Sequence, residues 1–187
     1  MFPHARTCRH AVLFYQDDAA VCHSVTGYVT AALRQGQPAL VIAKPALLQE
    51  LTLEVHRQHV QGDPFGPQRG RFVSMDAEAT LAKICRNGKP DRGLFGAVIG
   101  GALEELGAGG QRVAAYGEMV GVLCERGQFA DAVVLEGMWN ELLVSAHASL
   151  FCGYARQLFK SSKARTFYDQ IRAAHSEVLG EGAAVPA

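Results

Sequence analysis

The chain has 187 residues, 49% hydrophobic and 19% charged, enough for one domain with a sizeable core and too few for two comfortable ones. Its 18 Lys and Arg balance 18 Asp and Glu, so bulk charge recruits neither nucleic acid nor an anionic membrane. No run approaches the ~18 apolar residues that a membrane span needs.

Residues 1–9 have no apolar periodicity and are expected as a flexible lead-in. His4, Cys8 and His10 lack a fourth partner there and read as coincidence, not as metal ligands. AVLFY, after His10, is a continuous apolar run suited to a strand buried on both faces. Asp17 and Asp18 punctuate it, with Asp18 the candidate N-cap of a helix to about Gln35, where Gly36 ends it. ALVIA (Ala39 to Ala43) is a second strand. Pro45 fits the first turn of a helix carrying Leu47, Leu48, Leu51, Leu53 and Val55. Gln61 to Gly70, crowded with Gly and Pro, is a surface loop. RFVSM is a third strand, and Asp76 caps a helix through Ile84 and Cys85 that Gly88 and Pro90 stop.

Across residues 91–110, Leu94, Val98, Ala102 and Leu106 have helical spacing, although each interior glycine weakens a helix by roughly 1 kcal/mol. Val113 to Tyr116 is the fourth strand. Glu118 then heads a short helix ended by Gly127, and a second helix follows. Ala148 to Ala155 is the fifth strand. One more helix, from Ser161, carries Phe167, Ile171 and Ala174, and residues 177–187 are expected as a flexible tail. Strands alternating with helices predict an α/β fold: a mostly parallel central sheet of about five or more strands, helices on both faces, and one domain over residues 10–176.

In such sheets a ligand sits beyond the carboxyl ends of the strands. Tyr15, Asp17, Lys44, Asp76, Glu118 and Tyr154 collect there. On the helix after Gly127, Ala132, Val133, Glu136, Trp139, Asn140 and Leu143 share one face, so Glu136 and Asn140 interrupt an apolar stripe. Left unpaired, each costs about 1–3 kcal/mol, so a structural network or a ligand must satisfy them. Glu118 likewise has two readings, a carboxylate favoured by the helix dipole or one facing a ligand. His10 can pair with one of these acids. The candidate ligand-binding residues are therefore His10, Tyr15, Asp17, Glu118, Glu136, Trp139, Asn140 and Tyr154. Cys152, inside a buried strand, reads as a small hydrophobe. The five dispersed cysteines form no CxxC pair and, without a hydrophobic leader, suggest reduced thiols in a cytoplasmic protein.

YGEMVGVLCERGQFADAVVLEGMWNELL, with the opening HAVLFYQDD and the closing SLFCGY, resembles the MEDS domain, the sensory domain of DcmR-type regulators in methanogens and methylotrophs. The resemblance implies a non-catalytic sensory domain related in fold to the RecA and KaiC ATPases, binding small molecules such as hydrocarbon derivatives. It further implies a role in signal transduction or transcription regulation. Because no helix-turn-helix or kinase segment is recognisable, the signal is expected to pass to a partner protein in trans, or within a longer regulator of which this chain is a part. Neither direct nucleic-acid contact nor membrane association is expected, and zero net charge leaves a homo-oligomer open. An ATPase would need GxxxxGK[ST] after its first strand, where this chain has YQDDAAV; two carboxylates there repel a triphosphate. No cofactor or metal motif is read. The alternatives are an enzyme using His10 with Glu118 or Glu136 as an acid/base pair, and a KaiC-like oligomeric scaffold.

Overall fold

The computed structural model describes residues 10–61 and 71–179. His4, Cys8 and most of the expected Gln61 to Gly70 loop lie outside them. The first strand, β1 (His10–Tyr15), is buried along its whole length. Helix α1 (Asp18–Arg34) follows, capped by Asp17 and not Asp18: the Asp17 carboxylate accepts from the Ala20 N–H at 2.8 Å. Next come β2 (Ala39–Ala43), α2 (Pro45–Gln61), β3 (Phe72–Asp76) and α3 (Ala77–Ile84), with Asp76 capping α3 as the sequence predicts.

A two-stranded hairpin, β4 (Cys85–Arg86) and β5 (Lys89–Pro90), stands where the sequence suggested only a helix stop. Asn87 and Gly88 form its two-residue loop with φ of 53° and 75°, as a type I′ turn requires. The helix expected across residues 91–110 is divided into α4 (Arg92–Phe95), a π-helical turn (Gly96–Gly100) and α5 (Gly101–Gly107). The Gly101 N–H bonds to the Gly96 carbonyl, five residues back, in a run whose glycines carry no Cβ to hold the tighter spiral.

β6 (Val113–Gly117) leads into α6 (Met119–Glu125), which ends at Gly127. There φ is 74°, and the N–H groups of Gly127 and Gln128 close back on Cys124 and Leu123. Helix α7 (Phe129–Ser145), β7 (Ala148–Ala155), a 3₁₀ turn (Arg156–Phe159) and α8 (Ser162–Ala174) follow. The chain then adds a strand, β8 (Glu177–Leu179), inside the segment expected as a tail. It pairs with β1 from Ala11 to Leu13.

The six-stranded sheet is parallel throughout, ordered β3-β2-β6-β7-β1-β8. Side chains alternate across it with period two. Ala11, Leu13 and Tyr15 of β1, with Val41, Tyr116 and Phe151, pack against α1 and α2. Val12 and Phe14, with Leu40, Ile42, Cys152 and Tyr154, pack against the helices from α3 to α8. The result is a three-layer α/β sandwich whose strands are near-continuous apolar runs because both faces are covered. Among the described residues no helix is long and apolar enough to cross a membrane.

Candidate functional site

The predicted site residues gather in two places, on opposite faces of the sheet. His10 belongs to the side of Val12 and Phe14, an even number of residues away; Tyr15 belongs to the other.

On the α1/α2 side, at the carboxyl edge, Glu118 is the centre. Its own N–H is held by the Ile42 carbonyl at 2.8 Å, which sets it directly beyond β2 and β6. The carboxylate does not cap α6. It turns to the Lys44 backbone N–H, 2.8 Å from Oε2, while Lys44 Nζ lies 3.4 Å from Oε1 and Tyr15 donates its hydroxyl to Oε1 at 3.4 Å. Lys44 Nζ also bonds Glu125 at 2.8 Å. Burial works to discharge Lys44, but the hydrogen bond to Glu125 and the Glu118 charge outweigh it and hold its pKa above the ordinary lysine value. The Tyr15 hydroxyl is raised, by burial first and by Glu118 second, and stays protonated.

Beside this group lies a cavity of about 450 Å³ between the N-terminal turns of α1 and α2, walled by Val21, Pro45 and Leu47 and edged by Asp18, Lys44 and Glu118. A larger groove of about 740 Å³ runs along Gly96, Gly100 and Gly107 against Leu142 and His147, but it holds none of the predicted residues. The smaller cavity combines apolar walls with convergent polar groups, the character of a small-molecule site.

On the other face, under α7, His10, Glu136, Asn140 and Tyr154 converge, joined by two residues the sequence did not single out for this role, Cys152 and His175. His10 Nδ1 is 2.9 Å from Asn140 Oδ1, and Asn140 Nδ2 donates to the Ala174 carbonyl, so His10 carries its proton on Nδ1 toward Asn140. His10 Nε2 is then 3.2 Å from Glu136 Oε2 and 3.4 Å from Cys152 Sγ. Tyr154 donates to Glu136 Oε1.

Glu136 is fully buried. Burial pushes its carboxyl up, but His175, His10 and Tyr154 together bring it below the ordinary value. His175 is lowered, by burial above all, with the Glu136 charge opposing. Burial, with the Glu136 charge, drives the Cys152 thiol and the Tyr154 hydroxyl well up. The polar pair in the α7 stripe is thus satisfied by the chain's own groups.

The remaining two predicted residues stand apart. Asp17 spends its carboxylate on the α1 cap. Trp139 is core, edge-on to Phe95 with ring centroids 5.1 Å apart. Of the two acid/base pairs considered from sequence, His10 and Glu118 lie on opposite faces of the sheet. His10 and Glu136 are within reach, with side chains 3% and 0% exposed.

The parallel sandwich, with a small polar-edged cavity at the carboxyl edge of its sheet, is a three-layer α/β domain. The chain belongs to the MEDS family, the MEthanogen/methylotroph, DcmR Sensory domain, whose model matches residues 9–175. It is therefore a member of a sensory-domain family. No curated protein and no solved structure matches the chain significantly.

Proposed function

We propose that this domain is a non-catalytic cytoplasmic sensor that takes a small, largely apolar molecule with one polar group into the cavity beside Glu118. The cavity itself carries the reading: Val21, Pro45 and Leu47 offer the apolar wall, and the charged Lys44 offers the polar group a donor. A ligand that accepts from Lys44 Nζ competes with Glu118 and Glu125, and so loosens the tie between the start of α2 and the end of β6. The two states then differ in how α1 and α2 sit against the sheet, and a partner protein or a second copy reads the difference. Relation to the RecA and KaiC ATPases, without their phosphate loop, fits the all-parallel sheet with Asp17 capping α1 where a phosphate cradle would stand.

The test is isothermal titration of short-chain alcohols and short-chain fatty acids into the wild type and into Leu47→Trp, which fills the cavity. Binding weakened at least tenfold, roughly 1.4 kcal/mol, in the variant is expected. Equal affinity in both proteins removes the cavity from the reading.

A further inference from the structure

The buried group under α7 leaves one polar atom, His175 Nε2, without a hydrogen-bond partner. Four potential ligand atoms, one each from His10, Glu136, Cys152 and His175, lie within 4.8 Å of one another. His10 Nε2 to Glu136 Oε2 is 3.2 Å, His10 Nε2 to Cys152 Sγ 3.4 Å, Cys152 Sγ to Glu136 Oε2 3.7 Å, and His175 Nε2 to Glu136 Oε1 3.4 Å. The three contacts among His10 Nε2, Glu136 Oε2 and Cys152 Sγ match the edges of about 3.3–3.7 Å of a tetrahedral ion with bonds of ~2.0–2.3 Å, and His175 Nε2 approaches from the side of the other carboxylate oxygen.

Both histidines are also set in the tautomer that a metal needs. His10 gives its Nδ1 proton to Asn140, and His175 gives its own to the Ile171 carbonyl at 2.6 Å. Each Nε2 lone pair is left toward the common centre, with the far nitrogen pinned as ligating histidines require. His175 Nε2 has no hydrogen-bond partner although its side chain is fully buried, an arrangement that costs stability unless something accepts the lone pair. Tyr154 steadies Glu136 in the same way that Asn140 steadies His10.

We propose that His10 Nε2, Glu136, Cys152 Sγ and His175 Nε2 form a closed Zn²⁺ site. One nitrogen pair, one carboxylate and one thiolate suit this borderline ion, and a single thiolate cannot carry an iron–sulfur cluster. Binding breaks the Cys152 S–H bond, forms the Zn–S bond and releases that proton to solvent; no electron moves. The thiolate and carboxylate then cancel the two positive charges, so the buried centre is neutral. With every ligand enclosed, the ion is structural: it ties β1, α7 and β7 to the segment between α8 and β8. This site is independent of the cavity beside Glu118.

The experiment is Co²⁺ titration of the metal-stripped protein, followed by optical absorption, with competition by Zn²⁺. The wild type should bind one Co²⁺ per chain, with the visible bands of a tetrahedral ion and a thiolate charge-transfer band in the near ultraviolet, both erased by Zn²⁺. Cys152→Ser should lose the charge-transfer band, and Asn140→Ala, which removes only the support of His10, should weaken binding about 10–100-fold. Cys8→Ser should change neither. Failure of the wild type to develop the bands overturns the site, and so does persistence of the charge-transfer band in Cys152→Ser. The wild-type readout stands even if a variant, checked by circular dichroism, does not fold.

Discussion

The carboxylate of Glu118 accepts from the backbone N–H of Lys44 at 2.8 Å, so the residue that heads α6 serves the start of α2 instead. Glu118 is 2% exposed, and losing it strands that N–H and half of the Lys44 ion pairing. Glu118→Ala should lower the unfolding free energy by about 1–3 kcal/mol, whereas Glu118→Gln, which keeps an acceptor, should cost clearly less. Urea denaturation of the two variants decides it; indistinguishable midpoints would mean that the contact is incidental.

A second close approach joins neighbouring strands. A Cβ on Gly153 would press on the hydroxyl of Tyr116, which is buried without a hydrogen-bond partner. Gly153→Ala should therefore destabilise the protein by about 1–3 kcal/mol, and Tyr116→Phe should restore much of the loss by removing the oxygen. Tyr116→Phe alone should be close to neutral. A double-mutant cycle with no coupling energy would refute this packing.

The thiols should separate by reactivity. Cys22 and Cys85 are partly exposed, whereas Cys124 and Cys152 are buried. Burial, with Glu136 and Glu125 nearby, pushes the Cys124 thiol up to about 12. At about pH 8 the native protein should lose Cys22 and Cys85 to iodoacetamide well before Cys124 and Cys152, which should react only on unfolding. Peptide mapping after timed labelling reads the order; early modification of Cys124 would contradict its burial.

Asp91 gives a pH prediction. The Leu94 N–H first, then Arg86, stabilise its ionised form and lower its pKa from 3.8. Because the folded pKa is depressed, its contribution to stability is present above 3.8 and is lost as pH falls through the folded value. Carboxyl chemical shifts should titrate below the unfolded midpoint. Arg86→Ala should return only part of the shift, since the Leu94 N–H still holds the carboxylate; full return would mean that this backbone bond contributes nothing.

The layered fold was legible because each strand is an apolar run bounded by turn residues, and Asp76 and Gly127 mark their helix ends plainly. The Asn87–Gly88 hairpin was also written in the chain, as the dipeptide that supplies two positive φ angles, but two-residue strands have no periodicity to announce them. β8 is three residues long and exists because β1 offers an edge.

At the site, simple parity separates His10 from Tyr15, five positions along one strand, and places Cys152 and Tyr154 with His10. Glu136 and Asn140 stood out as polar interruptions of an apolar stripe. His175 did not, for it meets His10 across 165 residues and only folding brings the rings to 4.0 Å. Lys44 was visible at the strand edge, but its bond to Glu118 depends on β2 and β6 being neighbours.

The order of the sheet also bears on how the chain comes to be folded during synthesis. β1 is made first among the described strands, yet its only neighbours are β7 and β8, the last two. Until the ribosome has delivered residues 148–179, this largely apolar segment has no strand to join, and β2, β3 and β6 must assemble with that place in the sheet still open. Such long sequence separation slows folding and leaves a sticky edge uncovered in the meantime. The nascent chain is therefore open to wrong pairings at β1 until residues 148–179 have emerged.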